Sequence, residues 1–562
     1  MAKVYDAEML QVARDIEELV GPRAREMAFS GAYDGAAQFE KQINLWNPPL
    51  TSADAEIIPN KSSLDARSRD LQRNDAYIQG GAELHKDSIV GHMYVLNAKP
   101  NLEVLGWDDE RGEAFQTEVE AKFQTWAESP HNWVDARRKR DLTELIRLVI
   151  GVYVFGGEVL GTAEWIKTQR REFKTAIQLI DPDRLMTPYT ELGNPKVRGG
   201  IKFDDYGGPV SAFIRTRHPG DIGMFQMPGM LDYKEVGFQK PWGRQQVIHI
   251  LNEKRPEQSR AVGDIVAGLR ELAITRKFRD VTLQNAVVNA TYAASIESEL
   301  PSEVVYAQMG AGATSTAVTD YATDFLSAVN EYVNSSKNMQ IDGVKVPHLF
   351  PGTKLNLLPA GTPGGVGQDF ETSLLRYIAA ALKVSYEELS RDYSKTNYSS
   401  ARAAMNQTWR SMQAEKKMVA DRFANTVYRL WLEEAINADQ IESFRAREAG
   451  LLYGPSGHQN LLFDALTRAD WIGASRGQID ELKETQAAVL RIKYGLSTHE
   501  DELARLGKDW RKVYRQLQRE RIEREGRGIE LYEDNSVNAA SGTTREADNG
   551  GTNDGENQNQ DQ

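Results

Sequence analysis

A serine sits between two glycines in Gly473-Ala-Ser475-Arg-Gly477, the spacing of a nucleophile elbow. Such an elbow needs a buried strand directly before the serine and a helix directly after it, because the sharp turn between them is what exposes the hydroxyl. Residues 478–490 read as that helix. Residues 465–472 include Arg468 and Asp470, too much charge for a strand at the centre of a sheet. The run is therefore expected to be an ordinary turn entering a helix; a serine hydrolase at Ser475 is kept only as the weaker alternative, and no catalytic residue is assigned. Phosphate-binding loops are absent as well. The chain has no GxxxxGK[ST] and no GxGxxG, and the glycines of 361–367 have the spacing of a flexible link. With no cysteine, disulfides and thiolate metal sites are excluded. The eight histidines are scattered, with no HExxH and no pair four residues apart, so neither a metal nor a cofactor is expected.

Three polar runs offer noncovalent chemistry. Residues 508–527 hold eight Lys/Arg against four Asp/Glu, a local net of +4. They read either as a phosphate contact, which would suit a nucleic-acid-binding regulator, or as a solvated helix with Glu520–Arg524, Arg519–Glu523 and Arg521–Glu525 one turn apart. The interleaved acids favour the solvated helix, since they would repel a phosphate backbone. Arg137-Arg-Lys-Arg140, flanked by Asp135 and Asp141, reads as a solvated face before a helix. The stretch Arg391-Asp392-Tyr393-Ser394-Lys395-Thr396-Asn397-Tyr398 is either a mobile element offering Tyr393, Lys395 and Tyr398 to a ligand or a plain surface turn. Its residues leave both open.

The elements that would carry these runs follow from periodicity. Residues 1–28 read as a helix with Met9, Val12, Ile16 and Val20 on one face. Residues 35–260 mix helical stretches at 110–127 and 142–150 with strand-like runs at Val152–Leu160, Thr175–Ile180 and Ile201–Phe203. Asp181-Pro-Asp183, Gly193-Asn-Pro195 and Tyr206-Gly-Gly-Pro209 mark turns. Residues 261–290 are helical with two apolar faces, Ile265/Leu269/Leu272 and Ile274/Phe278/Val281, which calls for neighbours on both sides. Residues 291–362 return to short strands (Tyr292–Ile296, Val344–Leu349, Leu355–Leu358) around a helix near 318–336. Residues 368–390 are helical, with Phe370, Leu374, Ile378, Ala381 and Leu382 in register. Residues 399–437 contain no Gly or Pro and form the longest helical signal, capped by Ser399 or Ser400. A straight helix of that length spans roughly 58 Å, so it crosses a large assembly or is kinked within it. Helices resume near 476–492 and 497–525. The pattern is α+β without βαβ regularity.

Composition bounds the partners. The chain has 562 residues, 40% hydrophobic, enough for several structural units around a large core. No apolar run approaches the ~18 residues that span a bilayer, and the polar, acidic N-terminus is unlike a secretory signal. The cysteine-free composition fits a reducing cytoplasm. A net charge of −13 is the opposite of what a phosphate-gripping protein needs. The last thirty residues, 533–562, lack aromatics and are expected to be a disordered tail.

Several segments in order resemble one family. They are Leu45–Pro49, Asp70–Tyr77, His85–Gly91, Arg198–Gly207, Val247–Ile250 and Tyr292–Leu300, then Gly343–Leu349, Ser373–Leu382, Val384–Arg391, Tyr398–Arg402, Asp470–Gly473 and Gly495–Thr498. Together they resemble the portal proteins of the phage lambda family over roughly residues 35–510. The sequence departs at Ala261, after Arg255-Pro-Glu-Gln-Ser-Arg260, where the family usually carries glycine, and Lys395 falls at a variable position. Neither the first thirty residues nor the tail has a clear counterpart.

The resemblance implies a portal fold and a homo-oligomeric ring of twelve subunits, the head–tail connector through which double-stranded DNA is packaged and ejected at one capsid vertex. It implies 1–35 as an N-terminal arm, 36–260 as wing, 261–290 as the first stem helix and 291–362 as the clip. It further implies 363–390 as the second stem helix, 391–398 as a tunnel loop facing DNA, 399–437 as the long wing helix and 438–532 as wing and crown. The implied partners are the terminase large subunit, a head–tail adaptor, the major capsid and scaffold proteins and DNA in transit without sequence readout, with no membrane. The implied locations are the virion and, during assembly, the host cytoplasm. On this reading the acidic charge suits a conduit, because a basic lining would hold the duplex by counterion release.

Overall fold

The computed structural model describes residues 45–167, 171–221, 233–291, 323, 327, 339–341, 344–346, 366–444, 446–455, 457–477 and 481–529. The expected helix at 1–28, most of 291–362, the start of the 361–367 link and the tail at 533–562 lie outside them. The described residues divide into two compact units, one before and one after position 474.

The first unit opens with helices α1 (Ala53–Asn74) and α2 (Ala76–Ile89), which periodicity did not reveal. The reason is physical. The buried side of α1 is Asp54, Lys61, Asp65, Ser68 and Leu71, mostly polar residues at helical spacing, so hydrophobicity carries no signal there. Asp75 caps α2, its carboxylate accepting from the N–H groups of Tyr77 and Ile78. Helix α3 (Asp109–Ala127) brings Phe115, Val119, Phe123 and Trp126 into the core. There Phe123 meets Tyr428 and Trp431 edge-on, with centroids 5.6 and 5.2 Å away.

Helix α4 (Leu142–Gly156) starts from an Asp141/Glu144 capping box and outruns its expected end. Val152–Phe155, expected to begin a strand, belong to this helix, because burial of most of its sides outweighs the β-propensity of its valines. It stops at Gly157, whose φ of +71° and whose carbonyl neighbour Val262, 2.2 Å from any added Cβ, both require glycine.

Strand β1 (Val95–Ala98) and the late β11 (Ala469–Ile472) pair antiparallel. Strands β2 (Glu158–Trp165), β3 (Thr175–Ile180) and β8 (Val247–Leu251) form a sheet ordered β3-β2-β8. Strands β4 (Val197–Arg198), β5 (Ile201–Phe203), β6 (Pro209–Arg215) and β7 (Tyr233–Gly237) form a four-stranded sheet in sequence order. The hairpin β9 (Met339–Ile341) and β10 (Val344–Val346) is the described sheet of the 291–362 region. Every pairing between these strands is antiparallel, as an α+β chain without βαβ units requires.

The helical segment at 261–290 begins as a 3-10 turn, Asp264–Gly268, and continues as α5 (Leu269–Thr291). Against it lies α6 (Val366–Ala381). Gly268 approaches Ala381, while Phe278 packs edge-on against Phe370 at 5.3 Å and Arg279 bridges Glu371 at 2.7 Å, so the two helices run antiparallel. The expected single helix at 368–390 is instead broken. Lys383 adopts φ +58°, and α7 (Tyr386–Ser390) restarts from a Ser385/Glu388 capping box. The buried residues of this segment are Leu375, Ile378, Ala379 and Leu382, while Phe370 is exposed. The expected long helix at 399–437 is realised as α8 (Tyr398–Glu415), six π-helical residues at Lys416–Asp421, and α9 (Arg422–Asn437). Its cap is Asn397, not Ser399 or Ser400.

In the second unit, α10 (Glu481–Lys493) is followed by α11 (His499–Arg505) and α12 (Trp510–Arg527). The single helix expected over 497–525 is split at Gly507, which has φ +71°. Arg491 holds Glu502 through two 2.8 Å hydrogen bonds. No helix among the described residues is long and apolar enough to cross a membrane.

Candidate functional site

The 391–398 segment joins α7 to α8 and is built by its own polar side chains. Arg391 turns the chain at φ +56°. Asp392 then accepts from the Ser394 N–H at 3.0 Å, Thr396 N–H donates to the Tyr393 carbonyl at 3.2 Å, and Asn397 caps α8 by accepting from Ser400 N–H at 2.8 Å. Asp392, Tyr393, Ser394, Lys395, Asn397 and Tyr398 are exposed and Thr396 is half-buried. The Ser394 hydrogen bonds hold the Asp392 carboxyl below its usual range. Burial, helped by Glu388 and Glu387, raises the Tyr393 phenol, which therefore stays a neutral donor at physiological pH.

The base of this loop is clamped. Thr408 on α8 donates its hydroxyl to Glu388 at 2.5 Å and accepts from the Ser385 N–H at 3.2 Å, tying α7 to α8. Below it Lys383 reaches Asp264 at 2.5 Å and Glu415 at 3.0 Å. Burial works against the Lys383 charge, but the two carboxylates outweigh it and push the ammonium up. One side chain therefore connects the start of α5, the end of α6 and the end of α8. The arrangement presents a short loop of two tyrosines, one arginine, one lysine and one aspartate on a fixed base.

A second polar assembly was not anticipated from sequence. Glu158, with no exposed surface, takes Arg260 (2.5 Å) and Lys61 (3.2 Å), with His249 at 3.4 Å. Burial raises the Glu158 carboxyl, yet Arg260 and Lys61 overcome that and bring it well below the usual range. Lys61 also donates to the Ala261 carbonyl, and Ala261 N–H donates to Glu158. Ala261 has no left-handed φ, so its backbone does not demand glycine here. Only Glu158 stands out in the sequence, as an acid in an otherwise apolar run, and nothing in sequence joins it to Lys61 and Arg260, each about a hundred residues away.

The other sequence candidates resolve individually. Contrary to expectation a strand, β11, does precede Ser475, because Trp471 and Ile472 are buried while Asp470 points outward. It belongs to a two-stranded sheet, and Ser475 is exposed coil, so the elbow is not formed. On α12 the Arg521–Glu525 pair forms, Glu523 takes Arg527 rather than Arg519, and Arg524 donates to the Glu520 carbonyl. Asp181, Asp183 and His218 offer ligand atoms within 4.8 Å of one another, but the Arg69 guanidinium already sits on both carboxylates, at 3.2 and 2.5 Å.

With this geometry in view, residues 39–416 match the family model for phage portal proteins of the lambda family. The portal protein of Escherichia phage N15 and portal protein B of Escherichia phage lambda are each 34% identical to this chain over 522 residues, covering 92% of it and 94% of themselves. The chain belongs to the lambda family of phage portal proteins. A probable portal protein of Halomonas phage phiHAP-1 is 22% identical over 88% of the chain and 87% of its own length. Among solved structures, a chain of the virion of a native gene transfer agent particle aligns at TM-score 0.34 and 11% identity, over 80% of this chain and 93% of that one. A chain from the neck of the native particle, computed with C12 symmetry, aligns at 0.32 and 11%, over 78% and 93%. Portal-family membership identifies the chain as a structural component of a phage particle, and the match spans the loop at 391–398 and its clamp.

Proposed function

We propose that this chain is one of twelve copies in a ring that forms the channel for double-stranded DNA at a capsid vertex, docking first the terminase large subunit and later a head–tail adaptor. The observation that carries this reading is the identity with two portal proteins along nearly the whole chain. The antiparallel pair α5/α6 supports it as the stem. Ile274 and Val281 on one helix, and Phe370 and Tyr377 on the other, are exposed large hydrophobics seven residues apart, the pattern of a flank that neighbouring copies cover. On this reading 36–260 is wing, 291–362 clip, 391–398 the tunnel loop, 399–437 the long wing helix and 438–532 wing and crown. Capsid and scaffold proteins surround the ring, and it assembles in the host cytoplasm. Passage needs contacts that do not hold, which suits a short loop with one lysine in a chain of net charge −13. Negative-stain microscopy of the purified chain tests the proposal. Rings with a central hole are expected; monomers or dimers that bind duplex with a steep salt dependence would replace the conduit by a nucleic-acid-binding regulator.

A further inference from the structure

The basic run at Arg137–Arg140 is a built structure. Asp135, almost fully buried, accepts from the N–H groups of Arg137 at 2.9 Å and Lys139 at 3.0 Å, and the Ala136 N–H donates to the Ile177 carbonyl of β3 at 2.9 Å. These bonds hold Arg138 at φ +56°, an unfavourable conformation for a non-glycine residue that persists because the surroundings fix it. Four cationic side chains therefore leave one rigid turn at the edge of β3. Further along the same strand, Gln178 and Leu179, with Asp181 just beyond its end, line a cavity of about 750 Å³ that also contains Arg69, Arg137, Arg184, Arg217, His218 and Asp221.

The charges in this cavity are unevenly matched. Asp181 and Asp183 are engaged by Arg69, and His218 lies 3.2 Å from Asp183. Arg184 donates its Nε to the Arg215 carbonyl at 2.7 Å, which leaves its terminal nitrogens without a partner among the described residues. The side chains of Arg137 and Arg217 make no hydrogen bond or ion pair among the described residues, and the lining carboxylates that face these three arginines are Asp221 and Asp181, the latter shared between Arg69 and Arg184. Burial lowers the Arg184 guanidinium, against the opposing pull of Asp181. Guanidinium forks with open donors on a fixed frame suit the oxygens of a phosphate, and a flexible lysine face would not give the same geometry.

We propose that Arg137, held by the 137–140 turn, together with Arg184 and Arg217, forms a phosphate-binding surface that takes the sugar–phosphate backbone of duplex DNA. It lies outside the candidate loop and the α5/α6 pair, so a local grip coexists with a channel element that does not hold. The choice of DNA as the source of the phosphate rests on the function proposed above; the phosphate chemistry does not.

The test uses the full chain, in whatever assembly it forms, with a short fluorescent duplex titrated at two salt concentrations. Because neither side chain has a partner among the described residues, Arg137→Ala/Arg217→Ala should leave folding and assembly intact. It should weaken duplex binding roughly tenfold and reduce the salt slope by about 2. Arg137→Lys/Arg217→Lys should keep the slope and lose part of the affinity, and Arg519→Ala/Arg527→Ala on α12 should change neither. An alanine variant with unchanged affinity and slope overturns the proposal. So does a wild-type chain from which polyglutamate displaces the duplex as readily as a second duplex does, which would make the surface an acidic-peptide site. Tight binding of inorganic tripolyphosphate without duplex binding would keep the phosphate chemistry and overturn DNA as its source. Assembly state, scored separately by microscopy, reports on the ring and not on this surface.

Discussion

Glu158 and Asp65 are two buried carboxylates around the same Lys61, and their environments push them in opposite directions. Glu158 meets two cations and a backbone N–H, while for Asp65 burial outweighs Lys61 and raises its carboxyl. Glu158→Gln would leave Arg260 buried without its counter-charge and Lys61 with Asp65 alone, and should cost about 3–5 kcal/mol in denaturant unfolding. Asp65→Asn should cost no more than about 1 kcal/mol, because Lys61 keeps Glu158 and the Ala261 carbonyl and a raised carboxyl gains by neutralisation. Equal costs for the two would mean that Glu158 is not the centre of the network. The pH dependence follows from the same shift. A carboxyl depressed on folding contributes its full stability above the ordinary glutamate value of 4.5 and loses it as pH falls toward the lower folded value. Glu118 behaves alike: burial raises it, but Lys122 and the backbone of Glu442 and Ser443 bring it down to about 2. Acid unfolding should accordingly set in between pH 4.5 and about 2, and in Glu158→Gln the Glu158 share of that acid dependence should vanish.

At the scale of elements, the loop at 391–398 depends on what holds its two ends. Helices α7 and α8 are fastened by Ser385, Glu388 and Thr408, and Lys383 fastens α6 to both α5 and α8. The loop itself contributes no buried side chain. Replacing 391–398 by a short Gly/Ser link should therefore leave assembly intact while impairing packaging or retention of DNA, read as DNA content per particle. Particles filled and sealed normally would remove the loop from the channel. The π-helical residues 416–421 lie directly beyond Glu415, with Lys416 and Tyr94 both bound to Asp421. They are the place where the long helix departs from a straight rod.

At the scale of the whole molecule, charge and segmentation set the expectations. On the proposed reading, a chain of net charge −13 does not coat DNA and would contact it at chosen places, such as the cavity lined by Arg137. On the proposed reading the 291–362 segment, which falls in sequence between the two antiparallel helices, is the clip that would meet a packaging motor. Deleting 320–335 should abolish terminase binding in a pull-down while the helix pair still assembles, and retained binding would shift the motor contact elsewhere.

Apolar periodicity alone determined α3, most of α4, the α5/α6 pair and the long helix, and the ordered family segments determined the portal assignment, because these depend on local pattern and on linear order. Only the tertiary structure decided the rest. Helix α1 buries polar side chains, so its role emerges when Lys61 finds Glu158 across the fold. The break at Lys383 replaces a continuous helix because Asp264 and Glu415 hold a lysine in a conformation its own backbone disfavours. The Arg137 turn is exposed, as a solvated face would be, and only the tertiary structure fixes it, through Asp135 and β3, beside Arg184 and Arg217. Long-range ion pairs join residues whose separation along the chain carries no information about their distance in space, so charge placement is settled by packing and not by pattern.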